Sequence, residues 1–373
     1  MKILIPLGTR PEIVKLAPVI VMLTARGHEV TTLATGQHYD ANLTDTFFDE
    51  LGVRPDIRWE LPADESERVG AILTRAMDVI RVERPDLVLV LGDTYTVPLF
   101  CLAARRFQTP VAHLEAGLRS FNETSIEESN RKIAAVTARL HFAPTTLAAQ
   151  FLAKEGVARE RIRVVGNPVI DVLVGKGLQR RDVSQRRGVL FTAHRPTNVD
   201  DPARLRDLVE IIRRLGDEVG TVVFPVHPRT KARLVSADLW TDLATTNVRL
   251  LEPLPYEAML EELATCRLVV TDSGGLQEEA AFFGVPAIVL RRSTPRWEGI
   301  SEGLSALSGV NVERVMELAT YFSSPEILTR IVEAPCPYGD GDTAERVADA
   351  LEDPNVLSLL PIVEPDLTEW RPT

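Results

Sequence analysis

DLVLVLGD, residues 86–93, sets five apolar residues in a row between two aspartates and closes them with a glycine. The run has no polar alternation, so a strand made from it must be covered on both faces, as in a parallel sheet held between helical layers. Runs of the same kind recur on either side of it: KILIPLG (2–8), EVTTLAT (29–35), PVAHLEA (110–116), ARLHFAP (138–144) and IRVVG (162–166). The charged stretch LQRRDVSQRRG (178–188) interrupts this rhythm. It then restarts with VLFTAH (189–194), TVVFPVH (221–227), VRLLEP (248–253), RLVVTDS (267–273) and PAIVLR (286–291). Longer segments between the runs read as helices. The pattern predicts an α/β protein of two Rossmann-like domains with doubly wound parallel sheets, residues 1–167 and 187–341, facing a central cleft, with a closing helix and tail over 342–373. That helix is expected to start near Asp342 with Asp342 and Glu345 as a cap pair, and the tail after Pro354 to be irregular.

Length and charge agree with this plan and narrow the partners. At roughly 150 residues per domain, 373 residues make two domains. With 42 basic against 53 acidic side chains the formal charge is −11, so no chain-wide field would draw in nucleic acid. A small anion needs only a few local cations. The three cysteines, Cys101, Cys266 and Cys336, are too few and too scattered for a disulfide framework or a metal cluster, which suits a reducing cytoplasm. Arg10 and Glu12 break what would have to be the apolar run of a signal peptide, and no stretch reaches the ~18 apolar residues of a membrane span.

The polar motifs stand where the apolar runs end, at the strand ends where ligands bind in doubly wound folds. Gly8-Thr9-Arg10-Pro11-Glu12 follows the first run; glycine permits a tight turn, Pro11 suits the first helical position, and Arg10 stands beside a helix N-terminus, a place for phosphate or carboxylate. A plain strand–helix turn with a solvated arginine is the competing reading. In LVVTDSGGLQEEA, the residues Ser273, Gly274 and Gly275 lie between strand and helix, so backbone N–H groups, a hydroxyl and the helix dipole converge as a diphosphate cradle. Glu279, a helical turn further on, has the reach to accept from ribose hydroxyls. His194 and Arg195 end the strand of VLFTAHR and offer charge to a pyrophosphate, with 194–200 read as a loop before an Asp201-Pro202 helix start; His227 in FPVHPRT is a weaker candidate of the same kind.

Asp93, Glu115 and the pair Glu127-Glu128 sit at or beyond strand ends. Carboxylates there cost desolvation energy unless partnered or used, and several together raise one another's pKa toward acid–base work. Caps and salt bridges to Arg119 or Arg131 are the alternative. The G-x-G-x-x-G, P-loop and clustered His/Cys patterns are missing, so neither a nicotinamide cofactor nor a metal is expected, and the lack of G-x-S-x-G argues against a Ser–His–Asp hydrolase.

Taken in order, GTRPEIVKLAPV, TGQHYD, GDTYT, HLEAGLRS, EESNR, FAPTTLAA, GNPVIDVL, TAHRPTN, PVHP, TDSGGLQEEA, GVPAIVLR and CPYGDG make the chain resemble the non-hydrolysing UDP-N-acetylglucosamine 2-epimerases over residues 3 to about 350. The resemblance implies the GT-B fold, with the helix and tail of 342–373 packing back on the first domain, and cofactor-free interconversion of UDP-N-acetylglucosamine and UDP-N-acetylmannosamine. In that reaction UDP leaves by anti elimination, giving 2-acetamidoglucal, and re-adds to the other face. It also implies a homodimer. By motif match it assigns Asp93, Glu115 and Glu127 to the sugar ring, Arg10, Lys15 and His194 to the phosphates, Ser273, Gly274 and Gly275 to the diphosphate loop and Glu279 to the ribose. His194 is counted among the catalytic residues as well, and Arg131, Arg195, His227 and Arg296 are expected as further substrate contacts. The division of acid and base roles among the carboxylates stays open.

The chain departs from the family pattern in three loops: His194-Arg195-Pro196-Thr197-Asn198 lacks the usual acid, Ser125-Ile126 replace a Pro-Trp-Pro stretch, and Thr294-Pro295-Arg296-Trp297-Glu298 loses its first acid. Bacterial relatives use a Gln-His-Arg region and an M-x-x-x-Q segment for a second, activating substrate; here Gln37-His38 precede Tyr39-Asp40 and 61–70 reads LPADESERVG, so weak or absent activation is expected. Three other activities fit the same nucleotide motif: a hydrolysing epimerase releasing N-acetylmannosamine and UDP, a GT-B glycosyltransferase, and a non-catalytic sugar-nucleotide sensor.

Overall fold

The computed structural model describes residues 1–36, 48, 52–244, 247–364 and 368; Gln37 and His38 lie outside them. The chain divides into two compact units. The first holds Met1–Leu118, Asn122–Asp171 and Asp342–Thr373, the second Arg119–Phe121 and Val172–Gly341.

The first unit is built on seven strands, β1 (Lys2–Leu7), β2 (Glu29–Ala34), β3 (Ile57–Arg58), β4 (Leu87–Leu91), β5 (Val111–Leu114), β6 (Leu140–Ala143) and β7 (Ile162–Val164), in the order 3-2-1-4-5-6-7. Neighbouring strands all pair in parallel, for example Val88 with Val111 and Leu91 with Leu114. The apolar run of 87–91 is buried along its whole length. One sheet face packs on α2 (Glu65–Glu83), α3 (Thr96–Arg106) and α4 (Ile126–Thr137): Leu4, Val88 and Val90 meet Ile72, Ile80, Phe100 and Ala134. Each large apolar side chain among them contributes about 1.5–3 kcal/mol on leaving water. Because the strand order reverses between β1 and β4, the connections leave those two strands to opposite sides. The crevice this opens at their carboxyl ends carries Gly8–Arg10 and Gly92–Asp93.

The second unit repeats the arrangement with six parallel strands, β8 (Arg187–Thr192), β9 (Val222–Pro225), β10 (Val248–Leu251), β11 (Cys266–Thr271), β12 (Ala287–Val289) and β13 (Ser305–Leu307), in the order 10-9-8-11-12-13. Its reversal falls between β8 and β11, the strands followed by His194 and by Asp272-Ser273.

The closing helix, α15 (Thr343–Glu352), returns to the first unit and packs on α1 (Arg10–Ala25), with Arg26 bridging to Asp349 and Glu352 at 3.0 Å each. Its N-terminus corrects the expected cap pair. Asp342 makes no side-chain cap bond; the Ala344 N–H donates instead to Asp171 Oδ1, 2.7 Å away, on α6 (Pro168–Gly175). A carboxylate from another helix does the capping, which no local spacing reveals. The tail is also more regular than expected, since Asp353 caps a short helix, α16 (Pro354–Leu357). Among the described residues no helix is long and apolar enough to cross a membrane.

Candidate active site

In the first unit the site grows from the ends of β4 and β5. Glu115 follows β5 directly and takes φ +61°, the left-handed region that non-glycine residues enter at a cost of about 1–3 kcal/mol and that concentrates at functional positions. The turn aims a buried carboxylate at two donors: Lys15 Nζ at 2.5 Å, from α1, and Asn167 Nδ2 at 2.8 Å, from the segment after β7. Lys15 is buried too, so the pair replaces lost hydration with charge-assisted hydrogen bonds. The preceding turn is fixed by His113, whose Nε2 lies 2.8 Å from the Gly92 carbonyl.

Asp93 is held from the other side. Arg131 bridges the carboxylates of Asp93 and Glu128, while Asn130 Nδ2 donates to the Asp93 carbonyl at 2.8 Å. Both donors come from α4. Glu127 and Glu128 lie in its first turn rather than ahead of it, where the helix dipole favours negative charge, and Glu127 accepts from the Ser125 hydroxyl. Arg131, read from sequence as a further substrate contact, is thus engaged with two protein carboxylates. At the end of β1, helix α1 starts at Arg10, one residue earlier than Pro11 had suggested, and Arg10 is exposed. Behind it is a group the sequence did not single out: Glu12, buried, accepts from the Gly8 N–H at 2.7 Å and the Thr9 N–H at 3.2 Å. Burial pushes its carboxyl from the usual 4.5 up to about 7; Thr94 and the Gly8 N–H oppose the rise and nearby Asp93 adds to it.

In the second unit the central group is Asp272, fully buried at the end of β11. It accepts from the His194 N–H at 3.1 Å, the Arg195 N–H at 2.9 Å and Asn198 Nδ2 at 3.1 Å, and its Oδ1 lies 3.1 Å from His194 Nδ1. Burial alone would raise this carboxyl; the His194 ring and the backbone N–H groups outweigh it and hold the pKa below the usual range. With Nδ1 on Asp272, the imidazole presents Nε2 outward. Arg195 also donates from Nε to the Asp272 carbonyl at 3.0 Å, tying β8 to β11. The stretch 194–200 is not a plain loop, because Pro196–Val199 forms one helical turn, α7, before α8 (Pro202–Glu218), whose cap is Asp201 as expected. His227 plays a structural part, since its Nδ1 accepts from the Arg229 N–H at 3.2 Å and caps α9 (Pro228–Ser236). Burial, and then nearby His194, lower its pKa.

Helix α11 (Gly275–Phe283) begins directly after Ser273-Gly274. Its first N–H groups and the positive end of its dipole suit an anion. Arg296 packs against Gly274: a Cβ there would stand 3.3 Å from its guanidinium carbon, so the arginine would have to shift by a few tenths of an ångström. Arg296 in turn donates from Nε to buried Glu278 at 2.9 Å. Glu279 accepts from the Tyr256 hydroxyl at 2.8 Å, a partner on α10 (Tyr256–Thr265) that sequence reading missed; burial and the carboxylate drive that phenol's pKa upward.

A family model described as UDP-N-acetylglucosamine 2-epimerase matches residues 22–352. The chain belongs to the UDP-N-acetylglucosamine 2-epimerase family. Within it, the chain is similar to the UDP-N-acetylglucosamine 2-epimerase of Methanocaldococcus jannaschii, with 35% identity over 93% of this chain and 98% of that one. It is similar to nearly the same degree to the UDP-2,3-diacetamido-2,3-dideoxy-D-glucuronate 2-epimerase of Pseudomonas aeruginosa, with 34% identity over 94% of this chain and 99% of that one. The M. jannaschii enzyme crystallised with UDP-GlcNAc and UDP superposes with a TM-score of 0.83, covering 94% of this chain and 99% of its own.

The candidate site residues fall into two groups. Lys15, Asp93, Glu115 and Arg131 are held in hydrogen bonds and ion pairs to which Asn130 and Asn167 add donors. His194 and Arg195 converge on Asp272, and Arg296 stands against the Gly274 turn. Glu12, His113, Asn167, Tyr256 and Asp272 are the groups that motif reading passed over. Two of them had a signal: Asp272 as the acid closing a buried strand immediately before Ser-Gly-Gly, and Glu12 as the third residue after Thr9 in a capping-box spacing.

Proposed function

We propose that this family member epimerises UDP-N-acetylglucosamine reversibly at C2, through loss and re-addition of UDP. The observation that carries the reading is chemical division at the two switch points: paired acid–base carboxylates in one unit, an anion-binding helix start in the other. The α11 N-terminus, Ser273 and His194 take the diphosphate and Glu279 the ribose, while Arg10 and Lys15 add positive charge. Departure of UDP breaks the C1–O bond with its electron pair and leaves oxocarbenium character on the ring. That acidifies the C2 hydrogen, which one carboxylate among Asp93, Glu115 and Glu127 removes, giving 2-acetamidoglucal. Reprotonation from the opposite face and return of UDP complete the manno product. Free cysteines suit a reducing cytoplasm, and burial pushes the Cys101 and Cys266 thiols up to about 12.

The test is proton NMR of the protein with UDP-N-acetylglucosamine in deuterated water. Deuterium at C2 of both recovered substrate and a manno-configured UDP-sugar supports the proposal; free N-acetylmannosamine with UDP favours the hydrolysing reading. A second substrate calls for the same experiment, because the P. aeruginosa relative is named for a 2,3-diacetamido glucuronate and stands within one percentage point of the M. jannaschii one. Exchange with that UDP-sugar alone would move the assignment to it.

A further inference from the structure

The charged run 178–188 contains two arginines that are not solvated. Arg186 is fully buried and Arg180 partly so, and burial lowers both guanidinium pKa values. Both converge on one target. The last carbonyls of any α-helix lack intrahelical partners. At the end of α11, Gly284 at φ +62° lets the Val285 N–H reach the Ala280 carbonyl (2.8 Å) and its own N–H the Ala281 carbonyl (3.2 Å). The arginines share the Ala281 carbonyl and take those that follow it. Arg180 donates to Ala281 (3.1 Å) and Phe282 (2.6 Å), and Arg186 to Phe283 (2.7 Å) and Gly284 (2.5 Å). Arg180 also reaches the carbonyls of Val332 (2.6 Å) and Ala334 (2.5 Å) at the end of α14 (Pro325–Glu333). The packing there is tight, since a Cβ on Gly284 would meet Val332 Cα at 2.9 Å.

Helix α11 has nine residues, so at ~1.5 Å per residue its pinned end lies about 14 Å from Gly274. A rod this short transmits a shift of one end to the other. Two cations at its C-terminus also complement the dipole whose positive end faces the anion site. We propose that Arg180 and Arg186 are positioning residues for nucleotide binding, which hold the Ser273–Gly275 turn and Glu279 in register through α11 and so couple the connecting segment 176–187 to nucleotide occupancy. This rests on reading the α11 N-terminus as the nucleotide cradle. Linkage makes the coupling reciprocal: whatever the clamp adds to UDP affinity, UDP adds to the clamp.

Calorimetric titration of UDP into the full chain, paired with hydrogen exchange over 176–187, tests both directions. Arg180→Met and Arg186→Met are expected to weaken UDP about 5- to 20-fold, the usual size of coupling through a packed element, with kcat at saturating substrate within about 2-fold. Arg180→Lys should recover part of the loss. UDP should slow exchange in 176–187 of the unaltered protein and do so less in the Met variants. Should Arg186→Met not fold, the partly buried Arg180 carries the test. Leu208→Ala on α8 controls for lost stability and should leave UDP affinity unchanged. Met variants that melt earlier yet bind UDP normally, or a connecting segment indifferent to UDP, overturn the proposal. Ser273→Ala separates the two levels: if it weakens UDP while the arginine variants do not, the clamp alone is wrong, and if it binds UDP normally, the cradle reading itself falls.

Discussion

The two units share one architecture and meet their ligand problem with different materials. At the first switch point the chemistry is in side chains: Lys15 with Glu115, and Arg131 with Asp93 and Glu128, all charged and mostly buried. At the second it is in the backbone, with one buried carboxylate, Asp272, gathering N–H groups and an imidazole while a glycine-started helix offers its own amides. Side-chain charge can move a proton; a helix start can only hold an anion. Substitution of the first unit's carboxylates should therefore act on turnover and changes around the second unit's helix start on affinity.

The largest effect tests that division directly. Asp93→Asn and Glu115→Gln keep the size but replace one acceptor oxygen by an amide NH2 and remove the charge and with it the proposed proton transfer, so each should lower kcat by at least ~10²-fold with UDP affinity nearly unchanged. Steady-state turnover beside UDP titration measures both. A weakened UDP complex with intact turnover would erase the distinction between the units.

Glu12 sharpens the comparison through pH. Its carboxyl is raised from 4.5 to about 7, so the folded state holds the proton more tightly than the unfolded chain does. The stability it contributes is complete below about pH 4.5 and is lost as pH rises through about 7. At about 1.4 kcal/mol for each pH unit the proton is held beyond its unfolded value, the loss is on the order of 3 kcal/mol. Glu12→Gln should flatten this slope, as denaturant unfolding between pH 4.5 and 8 would show. An unchanged slope would mean that Glu12 is ionised throughout and belongs with the other paired carboxylates.

Asp272 carries the opposite sign. Its pKa is depressed in the fold, so its contribution is present above the ordinary carboxylate range of about 4 and lost on acidification below it. Asp272→Asn keeps the size but replaces one acceptor oxygen by a donor facing N–H groups, and it removes the charge from His194 Nδ1. UDP affinity should fall by about 1.5–3 kcal/mol, the range for hydrogen bonds to charged groups, with a smaller change in kcat. A turnover loss matching Glu115→Gln, at unchanged affinity, would make His194 part of the proton chemistry and blur the division.

The same contrast explains what sequence reading could reach. Asp93 and Glu115 were visible because a carboxylate at the end of a buried, mostly apolar run is unusual, and Ser273-Gly274-Gly275 because glycines between strand and helix have few other uses. Asn167 and Tyr256 were not, since each acquires its role by meeting a carboxylate 52 and 23 residues away. Asp171, capping a helix 173 residues further on, is the extreme case. In the fold, the long buried strands were legible, whereas β3 and β13, only two and three residues at sheet edges, are too short to carry a hydrophobic pattern and hold their place by pairing alone.

Tyr256 supplies the smallest and most selective test. Its hydroxyl donates to Glu279, leaving the carboxylate less freedom and fewer open lone pairs for a ribose. Tyr256→Phe removes that donor and leaves the packing of the ring. If the phenol serves to aim Glu279, UDP affinity should drop by about 0.5–1.5 kcal/mol, the net value of one hydrogen bond, while 2′-deoxy-UDP, which presents one hydroxyl fewer, should lose less. Equal losses for the two nucleotides would mean that Glu279 answers to Tyr256 rather than to ribose, leaving the second unit to recognise its ligand by the diphosphate alone.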